Sequence, residues 1–235
     1  MSVCHAVIVT AAGSSSRFNA GLKSGSNVKK EFLKIGDESV LARSVLPFVS
    51  VEGLVAIVVT YKEGFKEETS ELLKRIKFPS EIKLYLVQGG ATRQESVFNA
   101  LKFLSEENLD IRLVSIQDGA RPFVSKAIIE NCLETALQVG GAVPALPMSD
   151  TLVKVEKGLL CGRLDRTNVY GVQTPQTFRY PEIYQAHLAA REKTNDGLVY
   201  TDDTQIFTDY GYQVAIVPGD PKNKKITYPK DLEQL

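Results

Sequence analysis

Short apolar, β-branched runs alternate along the chain with stretches whose apolar residues return every three or four positions. The runs lie at 6–10, 54–60, 83–87, 113–116 and 141–146. Between them, 40–49, 65–76, 96–104 and 126–139 carry the spacing of amphipathic helices. A strand with little polar alternation is covered on both faces, so the order predicts an α/β fold: a mostly parallel sheet between two layers of helices. In such sheets ligands bind beyond the carboxyl ends of the strands, near a change in strand order. The loops after Thr10, Val87 and Ile116 are therefore where chemistry is expected.

The alternation breaks after Pro147. Residues 150–155 read as a strand, Lys157-Gly158 as a turn, and 159–166 as a returning strand. A two-stranded ribbon is marginal alone and needs something to pack on. Residues 148–172 are expected to project from a single domain spanning 1–235 and to pack on a second subunit. The alternative is a ribbon folded onto its own sheet edge. Helices resume at 180–191 and 202–210. A strand near 213–217, a short one at 225–227 and a last turn from Pro229 complete the chain.

Composition narrows the function classes. At 235 residues the chain suits one large domain, and 43% hydrophobic content supports a real core. Lys plus Arg equals Asp plus Glu at 28 each, so the basic excess of a general nucleic-acid binder is absent. Any anion must be held by a local cluster of cations. No apolar run approaches the ~20 residues that span a bilayer, and residues 1–11 lack the pattern of a signal peptide. Cys4, Cys132 and Cys161 fit neither a metal motif nor a disulfide framework, and are expected as free thiols in a reducing cytoplasm.

Four segments carry candidate chemistry. Thr10-Ala11-Ala12-Gly13-Ser14-Ser15-Ser16-Arg17 follows the first strand. Its small residues allow close backbone approach, its successive N–H groups suit phosphate oxygens, and Arg17 adds a guanidinium. It matches neither GxGxxG nor the P-loop, and an ordinary connection with an exposed arginine is the bland alternative. Val28-Lys29-Lys30-Glu31-Phe32-Leu33 follows a Gly/Ser/Asn-rich stretch at 19–27 whose composition suggests mobility. One lysine can reach a triphosphate; a solvated pair is the plainer reading. In Gln88-Gly89-Gly90-Ala91-Thr92-Arg93-Gln94-Glu95-Ser96, Gly-Gly admits a flat ring and Ser96 can read a base edge. The same segment is a capping box built on Thr92 and Glu95, and both readings can hold together. Finally, Asp118 ends a core strand, where a metal- or ribose-binding carboxylate is expected. Gly119 follows it, and Arg121 lies within reach of a substrate phosphate. Thr151, Arg166, Thr174-Pro175-Gln176, Thr201-Asp202-Asp203 and Lys225 say little singly.

In this order the segments resemble the 2-C-methyl-D-erythritol 4-phosphate cytidylyltransferases of the non-mevalonate isoprenoid pathway, from about residue 6 to about 232. The specific pieces are Ala11-Ala12-Gly13 with Arg17, Gly89-Gly90 through Arg93 with Ser96-Val97, Asp118 through Pro122, Asp150-Thr151, Asp165-Arg166, Thr174-Pro175-Gln176, Thr201-Asp202, and Lys225 ahead of Pro229. The resemblance implies a three-layer Rossmann-like nucleotidyltransferase fold. It implies CMP transfer from CTP with release of pyrophosphate and a need for Mg²⁺, held mainly by CTP phosphates. It also implies a homodimer in which the β-arm of one subunit completes the other's site. Carried over, Arg17 and Lys30 stabilise the transition state, while Arg166 and Lys225 position the substrate. Ala11, Ala12, Gly13, Gly90, Ser96, Asp118 and Gly119 bind the nucleotide. Arg121, Thr151, Thr201 and Asp202 stand near the acceptor, and no metal ligand is assigned.

Departures from the family pattern remain. The stretch before the lysines is long, so Lys30 over Lys29 rests on aligning Lys30-Glu31-Phe32-Leu33 with Lys-Gln-Tyr-Leu. Gly119 stands where Ala is usual, a change expected to matter little. The family often continues beyond the point matching Leu235. No general base is required, because a phosphate monoester is already a nucleophile near neutral pH; His5 and His187 read as structural. Rival readings are a ribitol-5-phosphate cytidylyltransferase, a nucleotide-binding regulatory module without catalysis, and a nicotinamide-dependent oxidoreductase, the last lacking GxGxxG.

Overall fold

A computed structural model describes residues 3–22, 28–195 and 200–233. The first strand, β1 (His5–Thr10), is buried over nearly its whole length. A tight loop leads to a short helix, α1 (Ser16–Ala20). A single 3-10 turn at Lys30–Phe32 and a small hairpin, β2 (Lys34–Ile35) with β3 (Glu38–Ser39), precede α2 (Val40–Val49). Three βα units follow: β4 (Leu54–Tyr61) with α3 (Lys66–Leu73), β5 (Lys83–Gln88) with α4 (Arg93–Glu106), and β6 (Leu113–Asp118) with α5 (Lys126–Val139). Then come β7 (Gly141–Pro147), an arm of β8 (Leu152–Glu156) and β9 (Leu159–Leu164), and the strands β10 (Tyr170–Val172) and β11 (Gln176–Arg179). The chain closes with α6 (Tyr180–Asn195), α7 (Asp203–Asp209), β12 (Val214–Pro218) and α8 (Lys230–Glu233).

The main sheet runs β10-β7-β11-β6-β1-β4-β5, with β12 also paired to β7. β6, β1, β4 and β5 are mutually parallel, as is the β7–β12 pair. Side chains alternate across it. Val7, Val9, Ile57 and Val59 join a core with α2 and α5, whereas Ala6, Ile8, Ala56 and Val58 join one with α4, α6 and α7. Burial on both faces is why these strands read as unbroken apolar runs. Helix starts follow local chemistry: Ser39 and Ser125 cap α2 and α5, and Thr92 with Glu95 forms the capping box of α4.

Some expectations need correction. The third helix stops at Leu73 rather than running to Ile76. Residues 225–227 form no strand; Ile226 instead donates one backbone hydrogen bond to Ala120 O at 2.8 Å. β10 and β11 are additions to the pattern read from the sequence. β11 is antiparallel to both β6 and β7, and β10 is antiparallel to β7. Both are too short to show a period, and Pro175 beside them argues against a central strand.

The hairpin exists as an arm and forms its own two-stranded sheet, separate from the main one. Lys157 (φ 49°) and Gly158 (φ 82°) make the two-residue turn, whose positive φ values match the twist of the strands. The arm closes where Met148 N–H meets Val169 O at 3.1 Å. It is therefore shorter than 148–172, since Tyr170–Val172 already lies in the main sheet.

The topology positions one place for ligands. β1 is flanked by β4 on one side and β6 on the other: the chain runs outward from β1 through β4 to β5 and then crosses back to β6, so the strand order reverses beside β1. The register pairs Thr10 with both Thr60 and Asp118, so these strands end level. The loops after β1, β5 and β6 consequently open into one crevice.

Candidate active site

A cleft of about 710 Å³ lies at these strand ends. Its wall begins with residues 12–18, continues with Lys30 and Glu31, Lys62 and Glu63, and 88–93 with Ser96, and closes with 118–120, Lys225 and Thr227.

The loop after β1 is held from beneath. Ala11 N–H donates to Thr60 O and Oγ1 at 3.1 and 3.2 Å, and its side chain is buried. Ala11 therefore lies under the cleft, whereas Ala12, Gly13 and Arg17 line it. The two neighbouring lysines part ways here. Lys29 turns inward, and its Nζ donates to Ala11 O (2.9 Å) and Gly13 O (2.5 Å). Lys30 lines the cleft, and its Nζ donates to Ile226 O at 2.6 Å. Burial lowers the pKa of Lys30. Glu31 opposes this, Lys225 and Arg17 add to it, and Asp118 counters it. Of the Gly/Ser/Asn-rich stretch, residues 23–27 lie outside the described residues.

The loop after β5 touches the loop after β1. A Cβ on Gly89 would stand 2.3 Å from Ala12 Cβ and 2.8 Å from Ser96 Oγ, so only glycine allows this approach. Ser96 Oγ accepts from Gly90 N–H at 3.1 Å and donates to Thr92 O at 2.9 Å. Its hydroxyl proton is thus committed to the loop, and Ser96 shapes the wall through Gly90. Gly119 is equally confined, because a Cβ there would meet Thr10 O at 2.8 Å. Its presence in place of alanine is therefore not a neutral change in this chain.

Asp118 is the buried centre of a cation cluster. Its Oδ2 lies 2.8 Å from Lys225 Nζ and 3.4 Å from Arg121 Nε, and its Oδ1 lies 3.9 Å from Arg93 Nε. Burial opposes ionisation, but Lys225, Arg93 and Arg121 outweigh it and hold the carboxyl well below the usual range. Its N–H donates to Thr174 Oγ1, which in turn donates to Gln117 Oε1. Behind Arg93 lies Asp203, wholly buried, 2.5 Å from Arg93 Nη1 and accepting from His187 Nε2 at 3.0 Å. Gln176 Oε1 accepts the Asp203 N–H. Thr174 and Gln176 thus form a floor beneath the two carboxylates.

Sequence reasoning assigned Arg93 and Asp203 no role, although both stood in quoted segments. In Thr201-Asp202-Asp203 the third residue reaches the cluster. Asp202 caps α7 by accepting Gln205 N–H at 2.9 Å, and Thr201 is exposed. Helical spacing was the available signal, since Asp203 lies on the face of α7 that is buried with Ile206 and Phe207.

A second cavity of about 500 Å³ adjoins the first and shares Lys225 with it. Arg121, Met148, Gln173 and Lys224 line it, and Arg121 is braced by Asn223 O at 2.7 Å. Thr151 and Arg166 line neither cavity and stand exposed on the arm. Within one chain, then, Arg17, Lys30 and Lys225 converge, and Arg166 does not. Among the described residues no three His, Cys, Asp or Glu side chains gather as a metal site.

Known proteins resemble this chain over nearly its full length. The sequence profile of the family described as 2-C-methyl-D-erythritol 4-phosphate cytidylyltransferase matches residues 5–234. The protein of that name from Halalkalibacterium halodurans is 37% identical over 228 residues, covering 97% of this chain and 93% of its own. The crystal structure of the same enzyme from Thermus thermophilus superposes with a TM-score of 0.74 at 32% identity, covering 100% of this chain and 97% of that one. The 4-diphosphocytidyl-2C-methyl-D-erythritol synthase from Anaerococcus prevotii shares the fold, with a TM-score of 0.79 at 24% identity, covering 99% and 94%.

Proposed function

This chain belongs to the 2-C-methyl-D-erythritol 4-phosphate cytidylyltransferase family, and from that premise we propose how its cleft performs the reaction. The reaction moves CMP from CTP to 2-C-methyl-D-erythritol 4-phosphate, giving 4-diphosphocytidyl-2-C-methyl-D-erythritol and pyrophosphate. One observation carries the assignment of roles: cations from positions 17, 30 and 225 line a single cleft where two glycine loops touch.

Nucleophile and electrophile are both anions, so their repulsion is the chief obstacle and fixed positive charge the chief remedy. The acceptor's phosphate oxygen attacks the α-phosphorus in line, and pyrophosphate departs. Ala12, Gly13, Gly90 and Gly119 frame the nucleotide, with Ala11 and Ser96 holding the frame from behind. Arg17 and Lys30 neutralise the triphosphate and the charge growing on the leaving group. Lys225 stands between the two cavities, where it and Arg121 hold the attacking phosphate and lower the cost of alignment. Neither His5 nor His187 lines the cleft, in keeping with a reaction that needs no general base.

A divalent ion, Mg²⁺, fits as a guest of the triphosphate. The ion would be held mainly by the triphosphate's own oxygens, because Asp118, the carboxylate at the strand end, is already engaged by Lys225, Arg121 and Arg93. When bound, it supplies further neutralisation of phosphate charge.

The arm supports a shared site. Val155, Leu159, Leu160 and Leu164 are exposed at 59, 74, 61 and 45%, a large apolar cost for a two-stranded ribbon in water. In a homodimer they are covered, and Arg166 and Thr151 are carried to the neighbour's cleft. Asp202 contributes by capping the start of α7 and hence placing Asp203. No helix among the described residues is long and apolar enough to cross a membrane. Three unpaired cysteines, one of them exposed, suit a cytoplasmic location.

Two measurements test the reading. Pyrophosphate release should require CTP together with methylerythritol phosphate, and other triphosphates or ribitol 5-phosphate should be poor replacements. Lack of release with CTP and the erythritol phosphate would remove the assignment. Mixing inactive Arg166→Ala and Lys225→Ala proteins should restore about a quarter of wild-type activity, because half of the randomised dimers regain one intact site. No recovery would place the whole site within one chain.

A further inference from the structure

Lys29 is spent neither on the cleft nor on solvent. It is buried, and its ammonium lies on the inner side of the loop after β1. We propose that Lys29 is a positioning residue for the triphosphate, one that pulls the carbonyls of Ala11 and Gly13 inward and so turns the following N–H groups toward the cleft. The inference rests on residues 12–17 being the triphosphate cradle.

The physical reason is the trans peptide plane. In a trans peptide the carbonyl of one residue and the N–H of the next point in opposite directions. Fixing Ala11 C=O inward (2.9 Å) directs Ala12 N–H outward, and fixing Gly13 C=O inward (2.5 Å) directs Ser14 N–H outward. Both Ala12 and Ser14 line the cleft. No described residue accepts a hydrogen bond from the backbone N–H groups of residues 12–17.

A second tie keeps the loop turned. Glu31 Oε2 accepts from Ser15 Oγ at 3.2 Å, and Ser15 Oγ accepts from Lys30 N–H at 3.3 Å. Ser15 has φ 55°, a left-handed conformation that a serine holds only when its surroundings impose it. Glu31 also lies 3.8 Å from Lys29, so the ammonium has a counter-ion as well as two carbonyl acceptors. Burial lowers the Lys29 pKa, Glu31 opposes the shift and Lys62 adds to it. The three consecutive residues therefore divide the work. Lys29 orients the loop, Lys30 enters the cleft, and Glu31 pins Ser15.

The test is a split between affinity and turnover. Outward N–H groups serve the ground-state and transition-state phosphates alike, so their loss acts on binding rather than on turnover. In Lys29→Met, KM for CTP should rise on the order of tenfold to a hundredfold, with inhibition by pyrophosphate weakened by a similar factor. Its kcat should change by less than about threefold, and KM for the erythritol phosphate should stay put. If Lys29→Met fails to fold, Lys29→Gln, which can still donate to one carbonyl, should show a smaller rise of the same kind. Unchanged KM for CTP in a folded variant would overturn the proposal, as would equal rises for both substrates. Lys30→Met run alongside separates the two readings. If Lys30→Met keeps normal turnover, the cradle itself is misassigned; if only Lys29→Met is silent, the cradle stands and the clamp falls.

Discussion

Replacing Lys30 with methionine should damage catalysis while sparing the fold, and the two effects can be estimated separately. The substitution keeps length and apolar volume and removes one charge from the cleft wall. A preorganised charged donor aimed at charge that develops in the transition state contributes about 2.7–4 kcal/mol, or 10²–10³ in kcat. Three terms act on stability. Ile226 O loses its 2.6 Å donor, at a cost of about 1 kcal/mol. Glu31 and Asp118 lose a nearby cation. Against these, an ammonium no longer has to be buried, and such exchanges for apolar groups are often neutral or stabilising. The unfolding midpoint should therefore move little while kcat falls by roughly two to three orders of magnitude. Single-turnover pyrophosphate release and thermal unfolding on the same preparation measure both. The sign of the pH dependence is also set. Lys30 must be protonated to act, and its lowered pKa brings the alkaline loss of activity below the range of an ordinary lysine. Turnover within about threefold of wild type, or a variant that unfolds early yet turns over normally, would refute the reasoning.

Other consequences follow from residues outside the cleft. His5 is buried in β1, and burial lowers its pKa to about 4, opposed by a backbone contact at Glu52. The unfolded chain therefore binds the extra proton first. This stabilisation is complete above the unfolded pKa near 6.5 and is lost as pH falls toward 4, amounting to about 3 kcal/mol by linkage. Urea unfolding at several pH values should show that slope, and His5→Leu should flatten it. Asp203→Ala should destabilise by about 3–5 kcal/mol, because Arg93 and His187 both lose a buried partner, while the shape-conserving Asp203→Asn should cost less. Equal unfolding midpoints for wild type and Asp203→Ala would contradict this. Gly89→Ala should cost about 1–3 kcal/mol and raise KM for CTP, because its methyl collides with Ala12 and forces the two loops apart. Unaltered CTP affinity in that variant would show that the contact does not shape the nucleotide site.

Much of this protein was legible in the linear pattern because the forces concerned are local. Strands β1, β4, β5, β6 and β7 announce themselves through contiguous apolar runs, most of them buried on two faces. The capping box at Thr92 and Glu95 and the turn at Lys157-Gly158 depend on neighbours within four residues. The crevice at the ends of β1, β5 and β6 follows from parallel order alone. The sequence motifs were also enough to place Arg17, Lys30 and Asp118 near one another through family resemblance.

What only the tertiary structure decided concerns single side chains whose partners lie far along the chain. Lys29 and Lys30 are adjacent and chemically identical, yet one meets Gly13 and the other Ile226, 196 positions away. Asp202 caps a helix while Asp203 supports Arg93, 110 positions earlier by difference of their numbers. β11 is inserted antiparallel between two strands that it joins by only four and two residue pairs. Neighbouring side chains leave the backbone in different directions, and a one-residue change exchanges an inward contact for an outward one. Periodicity marks which face is buried, but it does not say which atom waits there. That is settled by packing between segments brought together only when the chain has closed.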